Sequence, residues 1–244
     1  MKQLTIAVWT NKGGVGKTTL AVNIAAELAS RGVSTLLLDM DPQGDSTNHL
    51  TRQLPARFVS VAEVLAGTAG VAEAVLAVAG NLYLVPADAR ATRLDGDSGR
   101  VKALAAALAG PGMSRFQAIV ADCPPSYGAL TRASIHALKR VLTPVDLEWF
   151  SFRRLPDVLQ MVTEAGGRVG DIVAIRPSAR RSLAQQVLAD LRQTYPGLVR
   201  DTIIRTNVKV TEASALAQPV ASYAPRSAVV NDFRSLVSEM FSNE

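Results

Sequence analysis

Residues 11–19 read Asn11-Lys12-Gly13-Gly14-Val15-Gly16-Lys17-Thr18-Thr19 and lie between an apolar, β-prone run and a long helical pattern. A strand, a glycine-rich loop and a helix in this order form the context that a phosphate-binding loop requires. The glycines let backbone N–H groups curl around phosphate oxygens, and the helix points its positive N-terminal end at the same anion. Lys17 supplies a charge for the outer phosphates, and the Thr18 hydroxyl is placed to ligate Mg²⁺.

Two acidic motifs follow later strands of the pattern. Val33–Leu38 is apolar almost throughout and runs into Asp39-Met40-Asp41-Pro42, so two carboxylates follow a strand that is buried on both faces. An apolar run from residue 116 ends at Asp122, which a double-proline loop follows. Because open α/β sheets bind ligands at the carboxyl ends of their strands, both motifs are expected beside the phosphate loop. The second has the Walker B arrangement, in which Asp122 would hold the Mg²⁺ shell, through water.

The order of elements predicts one α/β domain over residues 1–244, with a mostly parallel, twisted sheet and helices on both faces. Hydrophobic residues make up 48% of the chain and aromatic residues only 5%, which suits buried parallel strands packed under alanine-rich helices. Helices are predicted over Thr18–Ser30, Val71–Val78, Arg100–Leu108 and Ala228–Phe241, with a polar surface loop at residues 88–100.

Cysteine content and the apolar runs bear on the compartment. Cys123 is the one cysteine, so a disulfide framework within one chain is impossible and a reducing cytosol is favoured. The chain shows no signal-peptide pattern before its first strand, and its longest apolar stretch, residues 64–86, is interrupted by charged and polar residues. We therefore expect a cytoplasmic protein.

A basic segment carries the excess charge of the chain. Residues 168–209 hold eight cationic and three acidic residues, a surplus that equals the net charge of +5 of the whole chain. Such a set is either a solvated surface or a stripe that contacts phosphates of a nucleic acid. The candidates for DNA contact are Arg176, Arg180, Arg181, Arg192, Arg200, Arg205 and Lys209.

The loop departs from the usual phosphate-binding pattern at its start. Asn11 stands where that pattern has glycine, and Lys12 adds a second lysine. This is the deviant Walker A form, and here the chain resembles the ParA/MinD family of dimerising ATPases; the acidic motifs and the closing segment Pro219–Ser227 resemble that family as well. The resemblance implies that Lys12 reaches across a dimer interface to the nucleotide of the partner subunit. It also implies that Asp41 positions the attacking water, while Asp39 lies closer to the Mg²⁺ shell.

Among these ATPases the chain is most similar to the short ParA class. The phosphate loop begins within a dozen residues of Met1, so we expect no N-terminal helix-turn-helix. The resemblance implies a Mg²⁺-dependent ATPase that is slow without its partner and acts in plasmid or chromosome partition. Its ATP-bound homodimer would bind non-specific double-stranded DNA of the nucleoid. A ParB-type centromere-binding protein would stimulate hydrolysis and release.

Two alternatives stay open. One is a ParA-like protein that positions another cargo on the nucleoid, because the partner selects the cargo. The other is a MinD-like regulator of septum placement that cycles on the membrane through a basic amphipathic tail. The last helix here has one cation, Arg234, and the chain ends in Glu244, so we expect this helix to pack on the core without stable membrane binding. Trp149 and Phe150 are expected in the core or in an interface.

Overall fold

A computed structural model describes residues 3–176 and 181–241, and its strands form one sheet of eight. The strand order is β3-β4-β2-β5-β1-β6-β7-β8, and every pairing is parallel except that of β3 with β4. The strands are β1 Leu4–Val8, β2 Thr35–Asp39, β3 Leu76–Ala79, β4 Leu82–Val85, β5 Ala118–Asp122, β6 Arg140–Asp146, β7 Arg168–Arg176 and β8 Ile204–Arg205.

The α-helices of the described residues are α1 Lys17–Ser30, α2 Asp45–Leu50, α3 Val61–Ala66, α4 Val71–Ala74, α5 Ala103–Leu108, α6 Ala129–Leu138, α7 Trp149–Glu164, α8 Arg181–Thr194, α9 Val208–Ala215, α10 Val220–Tyr223 and α11 Ala228–Phe241. Short 3₁₀ turns occupy Ala89–Leu94, Ser98–Lys102 and Met113–Arg115. None of the helices described combines the length and apolar character that crossing a membrane requires.

Helices cover both faces of the sheet, and each face has its own apolar core. One core joins the sheet to α3, α5, α6, α7 and α8, and the other joins it to α1, α9 and α11. Strands β2 and β5 are buried at every position, as their continuous apolar sequences require. The predicted fold class is therefore confirmed.

The sheet brings the acidic motifs together at one edge. Strand β1 lies next to β5, and β5 lies next to β2. The register aligns Asp39 with Asp122 at the carboxyl ends of their strands. The phosphate loop follows β1 at the same edge, so the fold places all three motifs side by side.

The prediction of a helix over Val71–Val78 is wrong in its second half. Helix α4 ends at Ala74, and Leu76–Ala79 forms β3, which pairs antiparallel with β4 at the sheet edge. Alanine and valine fit either structure, and pairing with β4 decides in favour of a strand. The helix predicted from Arg100 begins as a 3₁₀ turn and becomes α-helical at Ala103.

Helix α11 packs on the core, as predicted. Its apolar side chains, Val229, Val230, Phe233, Leu236, Val237 and Met240, are buried in the core that α1 shares. Arg31 at the end of α1 donates hydrogen bonds to the Arg234 carbonyl oxygen at 2.7 Å and to Ser238 Oγ at 3.0 Å. The apolar face of α11 is therefore occupied by the protein itself.

Candidate nucleotide site

The phosphate loop opens onto a cleft. Gly14 and Gly16 have φ values of 71° and 93°, a left-handed conformation that side chains with a Cβ rarely adopt. A Cβ built on Gly14 would meet no atom within 4 Å, so the loop faces open space. Gly16 precedes α1 and offers no side-chain cap, which leaves the first N–H groups of that helix available to an anion.

The side chain of Lys17 is held by a backbone carbonyl group of the loop. Its Nζ donates a hydrogen bond to the Lys12 carbonyl oxygen at 2.8 Å, and the residue is buried. Burial lowers the pKa of Lys17, while the nearby charges of Asp122 and Asp41 act in the opposite direction. A buried ammonium group that has one carbonyl partner gains most from an incoming phosphate.

Lys12 is folded back onto its own subunit. Its Nζ contacts the carboxylate of Asp146, Glu148 Oε2 at 3.0 Å and Ser151 Oγ at 3.3 Å. Partial burial lowers the pKa of Lys12, but the two carboxylates outweigh it, so the pKa lies above its ordinary value. Lys12 is thus a charged, partly exposed lysine that has two acidic partners.

Asp122 lies buried beside the loop with one oxygen unsatisfied. Its Oδ2 accepts a hydrogen bond from Ser46 Oγ at 2.7 Å, whereas Oδ1 is buried without a partner. Burial raises the pKa of Asp122 to about 6, against the lowering effect of the Ser46 and Thr18 hydroxyl groups. An unsatisfied carboxylate oxygen next to a threonine hydroxyl fits the oxygen ligands that Mg²⁺ prefers. Ser46 was not predicted, because nothing in the sequence reveals its reach to Asp122.

Asp39, which was predicted to lie near the metal, is buried beside Asp122 and is held by hydrogen bonds of its own. Its Oδ2 accepts hydrogen bonds from Thr47 N at 2.8 Å and Thr47 Oγ1 at 2.7 Å, and its Oδ1 accepts one from Asp41 N at 3.2 Å. Burial and the charge of Asp122 raise the pKa of Asp39 well above its ordinary value. Both oxygens accept hydrogen bonds within the protein, so Asp39 anchors the turn into α2, and its place near the metal stays a prediction.

Asp41 faces the loop across the cleft. The cleft measures about 630 Å³ and is lined on one side by the phosphate loop and on the other by Asp41 and the double-proline loop. Asp41 is half-buried, and its Oδ1 accepts a hydrogen bond from Gln43 N at 3.0 Å. The full lining is Gly13, Gly14, Gly16, Lys17, Thr18, Thr19, Asp41, Pro42, Gln43, Asp45, Thr92, Asp95, Pro124, Pro125 and Ser126.

A second cleft of about 290 Å³ adjoins the first, since Gly14, Gly16 and Thr19 line both. Its other walls include Thr206 and Asn207, which follow β8 at the carboxyl edge of the sheet. The resemblance to the family implies a loop near the nucleobase in this segment, but it names no contact residue. The position directly after a strand agrees with that expectation.

Comparison with known proteins agrees with the motifs. The profile of a family described as AAA domain matches residues 3–174. The chain is 30% identical to the chromosome partitioning protein ParA of Caulobacter vibrioides over 98% of its own length and 94% of that protein. It is 32% identical to the chromosome-partitioning ATPase Soj of Treponema pallidum over 98% of both chains. The chain belongs to the ParA/MinD family of P-loop ATPases.

A solved structure of the same fold contains a nucleotide. The cobyrinic acid a,c-diamide synthase of Mycobacterium smegmatis, bound to an ATP analog and magnesium, superposes with a TM-score of 0.82. It is 26% identical and covers 100% of this chain and 96% of that one. That synthase therefore binds a nucleotide and magnesium with the same fold. The present ParA/MinD-type chain has Lys17, Thr18 and Asp122 at the positions expected to bind phosphate and Mg²⁺.

The basic candidates of this ParA-type chain do not form one uniform set. Arg200 is buried, and its Nε donates to Asp171 Oδ1 at 2.6 Å, so the structure removes it from the candidates for DNA contact. Arg205 pairs with Asp232 at 2.7 Å, and Lys209 pairs with Glu212 at 2.7 Å. Arg192 lies 3.6 Å from Asp201. Arg180 and the side chains of Arg176 and Arg181 lie outside the described residues.

Proposed function

We propose that this chain hydrolyses ATP in the cleft between the phosphate loop and Asp41. The observation that carries the proposal is the facing pair of walls, with a phosphate-binding surface opposite a half-buried carboxylate. Lys17 and the loop N–H groups hold the phosphates, Thr18 and Asp122 would hold Mg²⁺, and Asp41 orients the attacking water. Bound Mg²⁺ supplies charge neutralisation at the phosphates. The nucleobase occupies the second cleft, beside Asn207.

The same site acts as a switch for dimerisation. Lys12 directly precedes the loop residues that line the cleft and has 42% of its side chain exposed, and it neutralises charge on the nucleotide of the partner subunit. Trp149 and Phe150, 46% and 77% exposed, lie beside the acidic partners of Lys12 at the start of α7. Their exposure leaves the interface and not the core as their expected place, and a second copy of the chain would cover them.

The ATP-bound dimer binds non-specific double-stranded DNA, and a ParB-type partner stimulates hydrolysis and release. Two relatives are named for chromosome partitioning, which favours a nucleoid-bound cytoplasmic protein over a membrane-cycling one. The buried apolar face of α11 supports the same choice. Arg192 and Lys209 keep partly exposed side chains with exposed acidic partners, and surface ion pairs of this kind are weak enough for DNA phosphates to compete with them. Arg205 is a weaker candidate, because both oxygens of the buried Asp232 carboxylate accept hydrogen bonds from its guanidinium group.

The test is binding to arbitrary duplex DNA with ATP, with ADP and without nucleotide, over a range of salt concentrations. We expect binding in the ATP state alone, with log affinity falling steeply and linearly against log salt. Replacing Arg192 and Lys209 together by glutamine should weaken binding and reduce that slope. Replacing Arg57 and Lys102 by glutamine removes the same charge, but these exposed cations lie outside the basic segment. This second variant should therefore change DNA affinity and the salt slope less.

Each outcome has a separate meaning. Absence of binding in every nucleotide state would contradict the DNA-partition proposal and leave ATP hydrolysis to be judged by phosphate release. Equal binding in the three states would contradict the switch. Equal weakening by the two double variants would show that overall charge, and not the basic segment, governs binding.

A further inference from the structure

Asp95 makes long-range hydrogen bonds to the loop that forms the far wall of the cleft. Its Oδ2 accepts from Ser126 Oγ at 3.1 Å, and its Oδ1 accepts from Leu130 N at 3.1 Å. The Asp95 carbonyl oxygen accepts from Ala129 N at 2.8 Å. One residue of the segment predicted to be a polar surface loop therefore binds both the double-proline loop and the first turn of α6.

Gly128 is shaped to admit this carboxylate. A Cβ built on Gly128 would lie 2.1 Å from Asp95 Oδ1 and 2.3 Å from Oδ2, which is closer than atoms can approach. The φ of Gly128 is −82° and its ψ is −168°, an extended conformation open to any residue. Glycine is needed here for the approach of Asp95 and not for its backbone angles. Gly128 precedes α6 but has no side chain that could cap it. The Asp95 carboxylate caps the helix instead by accepting from Leu130 N, although Asp95 lies 35 residues earlier in the chain.

The contact lies at the cleft itself. Asp95 and Ser126 both line it, together with Pro124 and Pro125, and the loop follows directly from Asp122 at the end of β5. On α6, the Thr131 hydroxyl donates to the Ser126 carbonyl oxygen at 2.7 Å. Hydrogen bonds thus join the loop both to α6 and to the segment that contains Asp95.

We propose that Asp95 is a positioning residue that fixes the Pro124–Gly128 wall against the phosphate loop, so that hydrolysis proceeds with the carboxylates and the nucleotide in register. The inference rests on the ATP hydrolysis proposed above. The nucleotide is held mainly by the opposite wall, so loss of the tether should reduce turnover much more than nucleotide affinity. Small misplacements of groups around a reacting phosphate lower the rate strongly, since catalysis there is positioning and charge stabilisation.

The experiment measures phosphate release at saturating Mg·ATP, ADP affinity by titration, and thermal stability for the full chain. We expect Asp95→Ala to lower kcat about tenfold while ADP affinity changes less than about twofold. Asp95→Asn keeps an acceptor for Leu130 N and can donate to Ser126 Oγ, so it should retain turnover. The matched control is Asp97→Ala, because Asp97 lies in the same segment and caps a turn at Gly99 N without lining the cleft.

A double-mutant cycle tests the contact directly. Gly128→Ala should reproduce the loss of turnover, because the new methyl group displaces the Asp95 carboxylate. In the Asp95→Ala background the same substitution should lower turnover little further, since the carboxylate with which the methyl group clashes is absent. Gly128→Ala also keeps the test decisive if Asp95→Ala fails to fold.

Other results would overturn the inference. Wild-type turnover in Asp95→Ala, fully additive losses in the cycle, or an Asp95→Asn variant as slow as Asp95→Ala would each do so. A loss of ADP affinity in proportion to turnover, or a loss of turnover that only follows thermal stability, would show a general structural role instead. If the wild-type chain itself releases no phosphate, the proposed ATPase function fails as well, and that failure is distinguishable because it is seen before any variant is measured.

Discussion

At the scale of single residues, Asp41 lines the cleft with the phosphate loop and lies close enough to Lys17 to act on its pKa. We predict that Asp41→Ala keeps ATP binding, lowers turnover by about 100-fold and leaves the ATP dimer persistent, because general-base and water-positioning groups contribute on that order. Phosphate release, nucleotide titration and sedimentation with ATP would measure the three effects. Unchanged turnover would remove Asp41 from this role.

Asp41 also has a local structural contact, which a second variant separates from the chemistry. Its Oδ1 accepts the hydrogen bond from Gln43 N, and an asparagine can accept the same bond. Asp41→Asn should therefore preserve the turn and still lose turnover. If only Asp41→Ala is slow, the carboxylate matters for the shape of the turn and not for the attacking water.

Sequence reasoning found the residues whose role is written in a local motif. The phosphate loop, Asp41 and Asp122 stand in fixed spacing to a strand or helix, and a short window is enough to locate them. It missed Ser46 and Asp95, which act on partners far along the chain. Ordinary polar residues carry no local sign of such contacts, because the fold alone brings the partners together.

The same distinction holds at the scale of elements. Strands β2 and β5 are continuous apolar runs, so their burial on both faces was predictable. The Ala/Val segment that became β3 has no periodicity of its own to choose between helix and strand. Arg200 looked like a surface cation because its partner, Asp171, lies on β7, 29 residues away. In the first case pairing with β4 decided the structure, and in the second an ion pair with a residue of the sheet did so.

Helix α2 carries a pH-sensitive contact. His49 is buried on this helix, and burial lowers its pKa from the ordinary value of 6.5, against a hydrogen bond to the Gln218 backbone. The unfolded chain then binds the proton more readily than the folded one. The contribution of His49 to stability is therefore complete above pH 6.5 and is lost as the pH falls below it.

The measurement is thermal unfolding of the wild-type chain and of His49→Gln at about pH 7.5 and about pH 5.5. Glutamine stays uncharged and can still donate to the Gln218 carbonyl, so the variant should lose less melting temperature on acidification than the wild type. The other histidine, His136, is present in both proteins and cancels in the comparison. An equal loss in the two proteins would show that His49 does not sense the pH.

For the whole molecule, the contacts of Lys12 give a reason why the chain would not dimerise without ATP. Lys12 is occupied by Asp146 and Glu148 of its own subunit, and in the proposed dimer it would contact the nucleotide of the partner. Exchange of these two carboxylates for a phosphate is favourable only when a second subunit presents ATP. Dimerisation would then require nucleotide in the site and not merely contact between surfaces.

We predict that Lys12→Gln abolishes ATP-driven dimerisation while nucleotide binding persists, because Lys17 and the loop N–H groups remain. Sedimentation velocity with a non-hydrolysable ATP analogue should show a wild-type dimer and a Lys12→Gln monomer, and both should be monomeric with ADP. Lys102→Gln removes the same charge from an exposed position away from the cleft and should dimerise like the wild type. A Lys12→Gln chain that dimerises with the analogue would mean that the second lysine of the loop does not join the subunits, and the exposed aromatic residues of α7 would then have to supply the interface.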